Sequence, residues 1–404
     1  MKIIVLKFGG TSVGTIDRIK KISNIIISYK NKGYKVIVVT SAMSGATNDL
    51  IKKSKAISNN FNTSEHDVLV SAGEQVSCAL ISGRLIHMGY KSKSWMGWQI
   101  PIITEGKHSS SRIISINKKK IFEYIKSGGI PVIAGFQGVD INNRITTLGR
   151  GGSDASAIMC AKFFKAKKCI IYTDVEGVYT TDPNILQKAK KIKVISYEEM
   201  LEMASLGAKV MQPISIQDAR INRIDINVKS SFVKKKGSLI TKRKNIIRNK
   251  VITGITSTRN DAKVTLIGVK DRPGVAASIF KPLSKNSINV DMVVQNISAN
   301  GKETDLTFTI SADELSKTTK LLKQNNKKNF RKLSIDKNVS KVSIIGVGMV
   351  TTPGVSYRMF QTLADKKINI LVISTSEIKI SVLINKKNQK KAISSLHKEF
   401  KLSN

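Results

Sequence analysis

Residues 1–230 alternate short apolar runs with helically spaced ones, and this alternation constrains the fold more than any other feature of the chain. Residues 3–7 read as a strand, after which Ile16, Ile19, Ile22 and Ile26 recur at helical spacing. Residues 36–40, 131–136, 169–172 and 224–228 read as further strands, with helices over 68–85, 153–164 and 197–204. Strands alternating with helices imply an α/β layer architecture, an αβα sandwich with a mostly parallel sheet covered on both faces. Such a sheet binds ligands at the carboxyl ends of its strands, where loops meet helix N-termini. The glycine clusters of this chain fall there.

Beyond residue 250 the chain repeats itself. Residues 264–296 contain VTLIGV, PGV and SINVDMV; residues 342–377 contain VSIIGV, PGV and KINILVI. Pro273 and Pro353 lie 80 residues apart, as do Asn289 and Asn369. The period is too long for a solenoid unit. It predicts two copies of a small α+β domain, each βαββαβ, over 251–338 and 339–404. Residues 233–250, with eight basic and no acidic residues, read as a basic linker behind a first domain over 1–232.

The charge is unusual: 68 basic and 28 acidic residues give +40. Such a balance points towards nucleic acid or an anionic membrane surface. Yet the lysines are spread along the whole chain among Ile and Asn, and aromatics at 5% are few for stacking bases. Nucleic acid is therefore not the expected partner. No apolar run approaches the ~18 residues of a membrane span, and the N-terminus meets Lys7 after four apolar residues, short of the ~7 a secretory signal needs. Three cysteines (Cys78, Cys160, Cys169) without a CxxC fit a reducing compartment, so a cytoplasmic protein is expected.

Two glycine clusters carry the chemistry. In KFGGTS (7–12) Lys7 ends a strand, and Gly9 and Gly10 let main-chain N–H groups approach an anion; a tight turn beside a solvated lysine is the plainer alternative. No GxxxxGKS/T loop occurs, and the HRD and DFG motifs of protein kinases are absent. In TTLGRGGSD (146–154) three glycines lead into a helix whose free N–H groups favour a negative ligand. Arg150 can grip a carboxylate with two parallel hydrogen bonds. Asp154, in the first helical turn, is either functional or a partner of the helix dipole.

Ser41 to Asn48 and Ser71 to Gln75 add smaller polar groups, the second within a helix or at a break in it. Glu74 with Arg150 would suit a zwitterionic substrate, the guanidinium on its carboxylate and the carboxylate on its ammonium. The polar loop 172–183 directly follows a strand, as a nucleotide site would. The four histidines form no HExxH, so no zinc site is read, whereas Mg²⁺ carried by phosphates needs only a carboxylate or two. Gly346-Val347-Gly348 begins like a dinucleotide fingerprint, but position 351 is Thr and the motif lies in the repeat, so it reads as a turn.

Taken together, KFGGTSV (7–13), SAMSGATNDL (41–50), SAGEQVS (71–77), TTLGRGGSDASA (146–157) and YTDVEGVYTTDP (172–183) resemble the aspartate kinase family in order and spacing. The duplicate resembles a tandem pair of amino-acid-sensing ACT domains. The resemblance implies an amino-acid-kinase fold and ATP-dependent phosphorylation of the L-aspartate side chain, a first step towards lysine, threonine and methionine, with Mg²⁺. It makes Lys7 and Asp154 catalytic and gives aspartate to Ser41, Thr47, Glu74, Phe136, Arg150 and Gly151. ATP would lie along Gly9, Gly10, Thr173, Asp174, Tyr179, Asp182 and Lys209. An effector amino acid, lysine or threonine or both, would meet Asp271, Asn289, Val290, Asp291, Gln295, Asn369, Ile370 and Ser376. Homo-oligomers through the ACT domains are implied as well. Because the chain stops after the second repeat, it is expected to lack the fused dehydrogenase of some members. Another amino-acid kinase, or an amino-acid-binding regulator without catalysis, are the alternatives; intact Lys7, Glu74, Arg150 and Asp154 speak against the regulator.

Overall fold

The computed structural model describes residues 1–208, 210–242, 250–297, 303–326 and 329–403. They form two compact units. The first comprises Met1–Val178, Lys191–Ser205 and residues 210–242; the second comprises Tyr179–Lys190, Leu206–Ala208 and residues 250–403.

Among the described residues the first unit contains an eight-stranded sheet. Its order is Val194–Ser196, Ser238–Thr241, Ile226–Ser230, Lys168–Thr173, Ile3–Phe8, Lys35–Thr40, Ile130–Ala134 and Ser92–Trp95. The neighbours run parallel except where Ser238–Thr241 opposes Ile226–Ser230. Every residue of Ile3–Phe8 is buried, in keeping with the apolar run Ile3–Leu6 that leads into Lys7 and Phe8. Helix Ile16–Asn31 packs Ile19, Ile22 and Ile26 onto the sheet, beside Cys78, Ile81 and Leu85 of helix Thr63–His87. Ile16, at the start of the same pattern, stays exposed. Asn62 caps the long helix by accepting from the N–H groups of Ser64 and Glu65.

A smaller sheet, ordered Arg112–Ile116, Ile102–Glu105, Gln137–Val139 and Ile145–Thr147, was not expected from the sequence. Its last strand delivers the chain into TTLGRGGSD. The basic stretch 233–250 is not a linker throughout. Ser238–Thr241 completes the main sheet, with Ser238 Oγ accepting from Val178 N–H; residues 243–249 lie outside the described residues.

The second unit contains two four-stranded antiparallel sheets. One is ordered Asp291–Ile297, Glu303–Ser311, Asp261–Lys270, Lys332–Asp336; the other Gly254–Thr258, Val339–Ile345, Lys379–Asn385, Ile370–Ser376. The start of the first copy at residue 251 therefore needs correcting. Strand Gly254–Thr258 precedes the first repeat yet pairs with Val339–Ile345 of the second, and Ile252 and Ile255 join the core of Val342, Ile344 and Leu396. The first repeat is thus inserted within the second.

The PG turns work alike in both copies: Gly274 (φ +87°) and Gly354 (φ +83°) adopt the left-handed conformation that starts helices Val275–Lys285 and Val355–Asp365. Gly346 and Gly348 serve packing, since a Cβ would come within 2.2 Å of Val251 O and 2.7 Å of Val251 Cα. No helix among the described residues is long and apolar enough to cross a membrane. Ile255 is fully buried, so Ile255→Ala should lower the second unit's stability by about 2–5 kcal/mol. Calorimetric unfolding should show that loss even though Ile255 precedes the repeated motifs at 264–296 and 342–377.

Candidate active site

The central strand ends at Phe8 and its parallel neighbours at Thr40 and Thr173, so the loops beyond them converge at one edge of the sheet. There Lys7 Nζ lies 2.6 Å from Asp154 Oδ1, each side chain only 10% exposed. Asp154 occupies the first turn of helix Gly152–Phe163. Gly149 (φ +72°) and Gly151 (φ +77°) turn the chain from strand Ile145–Thr147 into that helix, and Arg150 between them is exposed.

Missing side chains keep the space around Lys7 open. A Cβ on Gly9 would stand 3.5 Å from Lys7 Nζ, and one on Gly10 3.0 Å from Ala42 O. A Cβ on Gly135 would come within 2.9 Å of both Thr40 O and Ser153 Cβ. Three loops therefore approach main chain to main chain beside an ammonium group, a cradle for an anion.

Glu74 lies inside helix Thr63–His87, which runs through Gly73 without a break. Gly73 is required for packing, because a Cβ there would be 2.8 Å from Ala42 Cβ. Glu74 Oε1 accepts from Ala42 N–H at 3.0 Å, while Oε2 is buried without a hydrogen-bond partner. Burial pushes the carboxyl up to about 7, opposed by the Ala42 hydrogen bond and the charge of Lys7. A buried acceptor left unpaired is costly, and a ligand's ammonium would satisfy it.

Phe136 sits at φ +69°, a conformation held by its N–H to Ser156 Oγ (3.0 Å) and its carbonyl from Leu148 N–H (3.0 Å). Ser41 is half-buried; its N–H donates to Phe8 O and its carbonyl accepts from Ser77 Oγ. Thr47 is half-buried in the first turn of helix Ala46–Ile57. Thr173 Oγ1 donates to Asp174 Oδ1 at 3.0 Å.

The nucleotide candidates are divided between the units. Thr173 and Asp174 belong to the first, whereas Tyr179 and Asp182 belong to the second. Between these two, Thr180 donates its N–H to Lys190 O, accepts from Ile255 N–H at 2.7 Å and bonds His397 Nε2 through its hydroxyl at 2.9 Å. Lys209 lies outside the described residues. No cluster of three His, Cys, Asp or Glu able to hold a metal occurs among the described residues; a cation arriving on phosphates needs less, and Asp154 is a carboxylate of the required kind.

In the second unit Asn289 and Val290 line a cavity of 310 Å³ with Phe280, Ser284, Ile288 and Val293. Asp271, Gln295, Asn369 and Ser376 are exposed and Ile370 is half-buried. Asp291 is engaged within the chain: its carboxylate lies 2.5 Å from Lys341 Nζ and accepts from Met292 N–H. Burial opposes that charge, but Lys341 and the Met292 N–H outweigh it and hold the carboxyl below its ordinary value.

One buried carboxylate escaped the sequence reading. Asp67, on the helix that carries Glu74, is fully buried among donors from residues 108, 109 and 147. Its place seven residues, or two helical turns, before Glu74 is the signal that could have found it.

A parallel α/β sheet with a lysine, a glycine cradle and a helix N-terminus at its carboxyl edge has the parts that phosphoryl transfer requires. Residues 2–230 match the Amino acid kinase family, and residues 264–325 and 342–400 match the ACT domain. The aspartate kinase of Stutzerimonas stutzeri is 45% identical over 404 residues, covering 100% of this chain and 98% of its own. The aspartokinase of Helicobacter pylori is 45% identical over 404 residues, with 99% of each chain covered. Aspartokinase III of E. coli, solved in complex with aspartate and ADP, superposes with a TM-score of 0.80 at 25% identity, covering 98% of this chain and 99% of its own. The chain belongs to the amino acid kinase family and, within it, to the aspartate kinases, enzymes that phosphorylate the side-chain carboxylate of aspartate with ATP.

The Glu74 carboxyl gives a pH-dependent prediction. With a folded value raised from 4.5 to about 7, its neutral form supports folding fully below pH 4.5, and that support is lost as pH rises through 7. Glu74→Gln keeps the acceptor for Ala42 and cannot ionise. In urea unfolding of the unliganded protein it should match the wild type at pH 4.5 and exceed it by about 3 kcal/mol at pH 8.

Proposed function

We propose that Lys7 and Asp154 form the catalytic pair for transfer of the γ-phosphoryl group of ATP to L-aspartate. The observation that carries this reading is the buried 2.6 Å ion pair at the end of the central strand, beside the Gly9–Gly10 cradle. The acceptor carboxylate is ionised at neutral pH, with an ordinary value of about 3.9, so the reaction asks for no general base. It asks that two anionic groups be brought together in line and that the charge on the transferring group be neutralised. Lys7 supplies that charge and Asp154 fixes its position. Mg²⁺ carried on the phosphates would add neutralising charge, with Asp154 the carboxylate placed to meet it.

Aspartate is held by its two ends in this reading. Arg150 takes the α-carboxylate with its planar fork, and the unpartnered oxygen of Glu74 takes the α-ammonium. Ser41, Thr47, Phe136 and Gly151 complete that pocket. Gly9, Gly10, Thr173, Asp174, Tyr179, Asp182 and Lys209 serve ATP.

The duplicated region binds an effector amino acid through Asp271, Asn289, Val290, Asp291, Gln295, Asn369, Ile370 and Ser376, in a homo-oligomer joined by its ACT domains. Support comes from the left-handed glycine that opens a helix in each repeat and from a structure of E. coli aspartokinase III in complex with lysine and aspartate. The three free, buried thiols suit work in the reducing cytoplasm.

Two experiments test these assignments. Lys7→Ala should lower kcat by a factor on the order of 10²–10⁴ with ATP binding retained, and Arg150→Lys should raise the aspartate KM far more than the ATP KM; circular dichroism run alongside exposes any loss of folding. Lysine, threonine or both should inhibit the enzyme, and Asp271→Ala should relieve inhibition with kcat nearly intact. The coupling expected is about 1–3 kcal/mol, and calorimetric titration that detects neither amino acid would remove both as effectors.

A further inference from the structure

The geometry points to Asp67 as a positioning residue for the aspartate pocket, acting through Thr147 and Ser109 on the loop that carries Arg150. This rests on the assignment of Arg150 to the substrate. Asp67 is 0% exposed, and its two oxygens are saturated with donors. Oδ2 accepts from the N–H groups of Ser109 and Thr147, both at 3.0 Å, and lies 2.9 Å from His108 Nδ1. Oδ1 accepts from the hydroxyls of Ser109 (2.9 Å) and Thr147 (2.6 Å).

These partners belong to the two chain segments beneath the Arg150 loop. Thr147 is the last residue of strand Ile145–Thr147, three positions before Arg150. Ser109 is held at φ +65°, a conformation unfavourable for a non-glycine residue that persists only when its surroundings enforce it. Asp67 enforces it through both the N–H and the hydroxyl. The residue held in this way supports the loop directly, since a Cβ on Gly149 would stand 2.9 Å from Ser109 O. Ser111 N–H closes the arrangement by donating to Thr147 O at 3.0 Å.

Asp67 and Glu74 share one face of helix Thr63–His87, two turns or roughly 10 Å apart. Glu74 is bonded to Ala42 beyond the second strand, and Asp67 to the base of the Arg150 loop. A single rigid helix therefore sets the spacing between the group proposed to take the ammonium of aspartate and the loop proposed to take its carboxylate. Asp67 touches neither substrate nor nucleotide in this scheme.

The test is steady-state kinetics on the full chain with both KM values measured. Asp67→Ala should raise the aspartate KM tenfold or more and leave the ATP KM within twofold. Asp67→Asn, which keeps the shape and an acceptor for the N–H groups, should return the aspartate KM to within about threefold of wild type. In the Asp67→Ala, Arg150→Lys double variant the aspartate KM should be no higher than in the worse single variant, because both changes disable one contact.

A folded Asp67→Ala with an unchanged aspartate KM, or with both KM values raised alike, would overturn the assignment. So would failure of Asn to rescue, or additive effects in the double variant. If Asp67→Ala does not fold, Ser109→Ala combined with Thr147→Val removes the two hydroxyl donors and spares the N–H groups. It should raise the aspartate KM severalfold alone, and an unchanged value refutes the proposal. A wild-type protein that forms no ADP with aspartate would refute the kinase reading itself, a result separate from any of these.

Discussion

The ion pair between Lys7 and Asp154 constrains the architecture of the first unit. Two charges withdrawn from water carry a desolvation penalty that their attraction offsets only in good geometry. That geometry requires the end of the central strand and the first turn of helix Gly152–Phe163 to hold their places closely enough for Lys7 Nζ to lie 2.6 Å from Asp154 Oδ1. Close approaches at Gly10, Gly73 and Gly135 hold together the elements around it. Each is a place where a single methyl group would separate elements that must touch.

The second unit solves a similar problem with the opposite disposition of charge. Lys341 is 5% exposed on a strand of one sheet and reaches Asp291 and, at 3.9 Å, Asp261 of the other sheet. In a chain of net charge +40 acidic groups are scarce, and two of them converge on one buried ammonium. The apolar contact of Met292 and Val294 with Val339, Val372 and Leu383 surrounds the same junction. An insertion of one repeat into the other, a buried ion pair and a small apolar patch together make a single body of the two sheets.

What the sequence revealed followed from burial. Strands such as Ile3–Phe8, covered on both faces, are mostly apolar and could be read directly. The helix bearing Glu74 was legible over 68–85 but begins at Thr63 behind its Asn62 cap, because its first turn is polar. The smaller sheet was not legible, since Gln137–Val139 and Ile145–Thr147 are three residues each and contain Gly or Thr. Ser238–Thr241 was hidden by the lysines around it. Strand Gly254–Thr258 could be placed only by its partner more than 80 residues away, which no local pattern records. At the site, Lys7, Glu74, Arg150 and Asp154 stood out by motif. Asp67 did not, because a lone aspartate in a helix looks like a solvated charge until its donors are known.

The segment Tyr179–Lys190 interrupts the kinase fold but packs with the regulatory unit, where Ile255 and His397 hold Thr180. A gene encoding the first unit alone would omit those partners. It would leave this segment without the strand and helix that anchor it. Along the chain, segments of the regulatory unit are interleaved with those of the kinase unit.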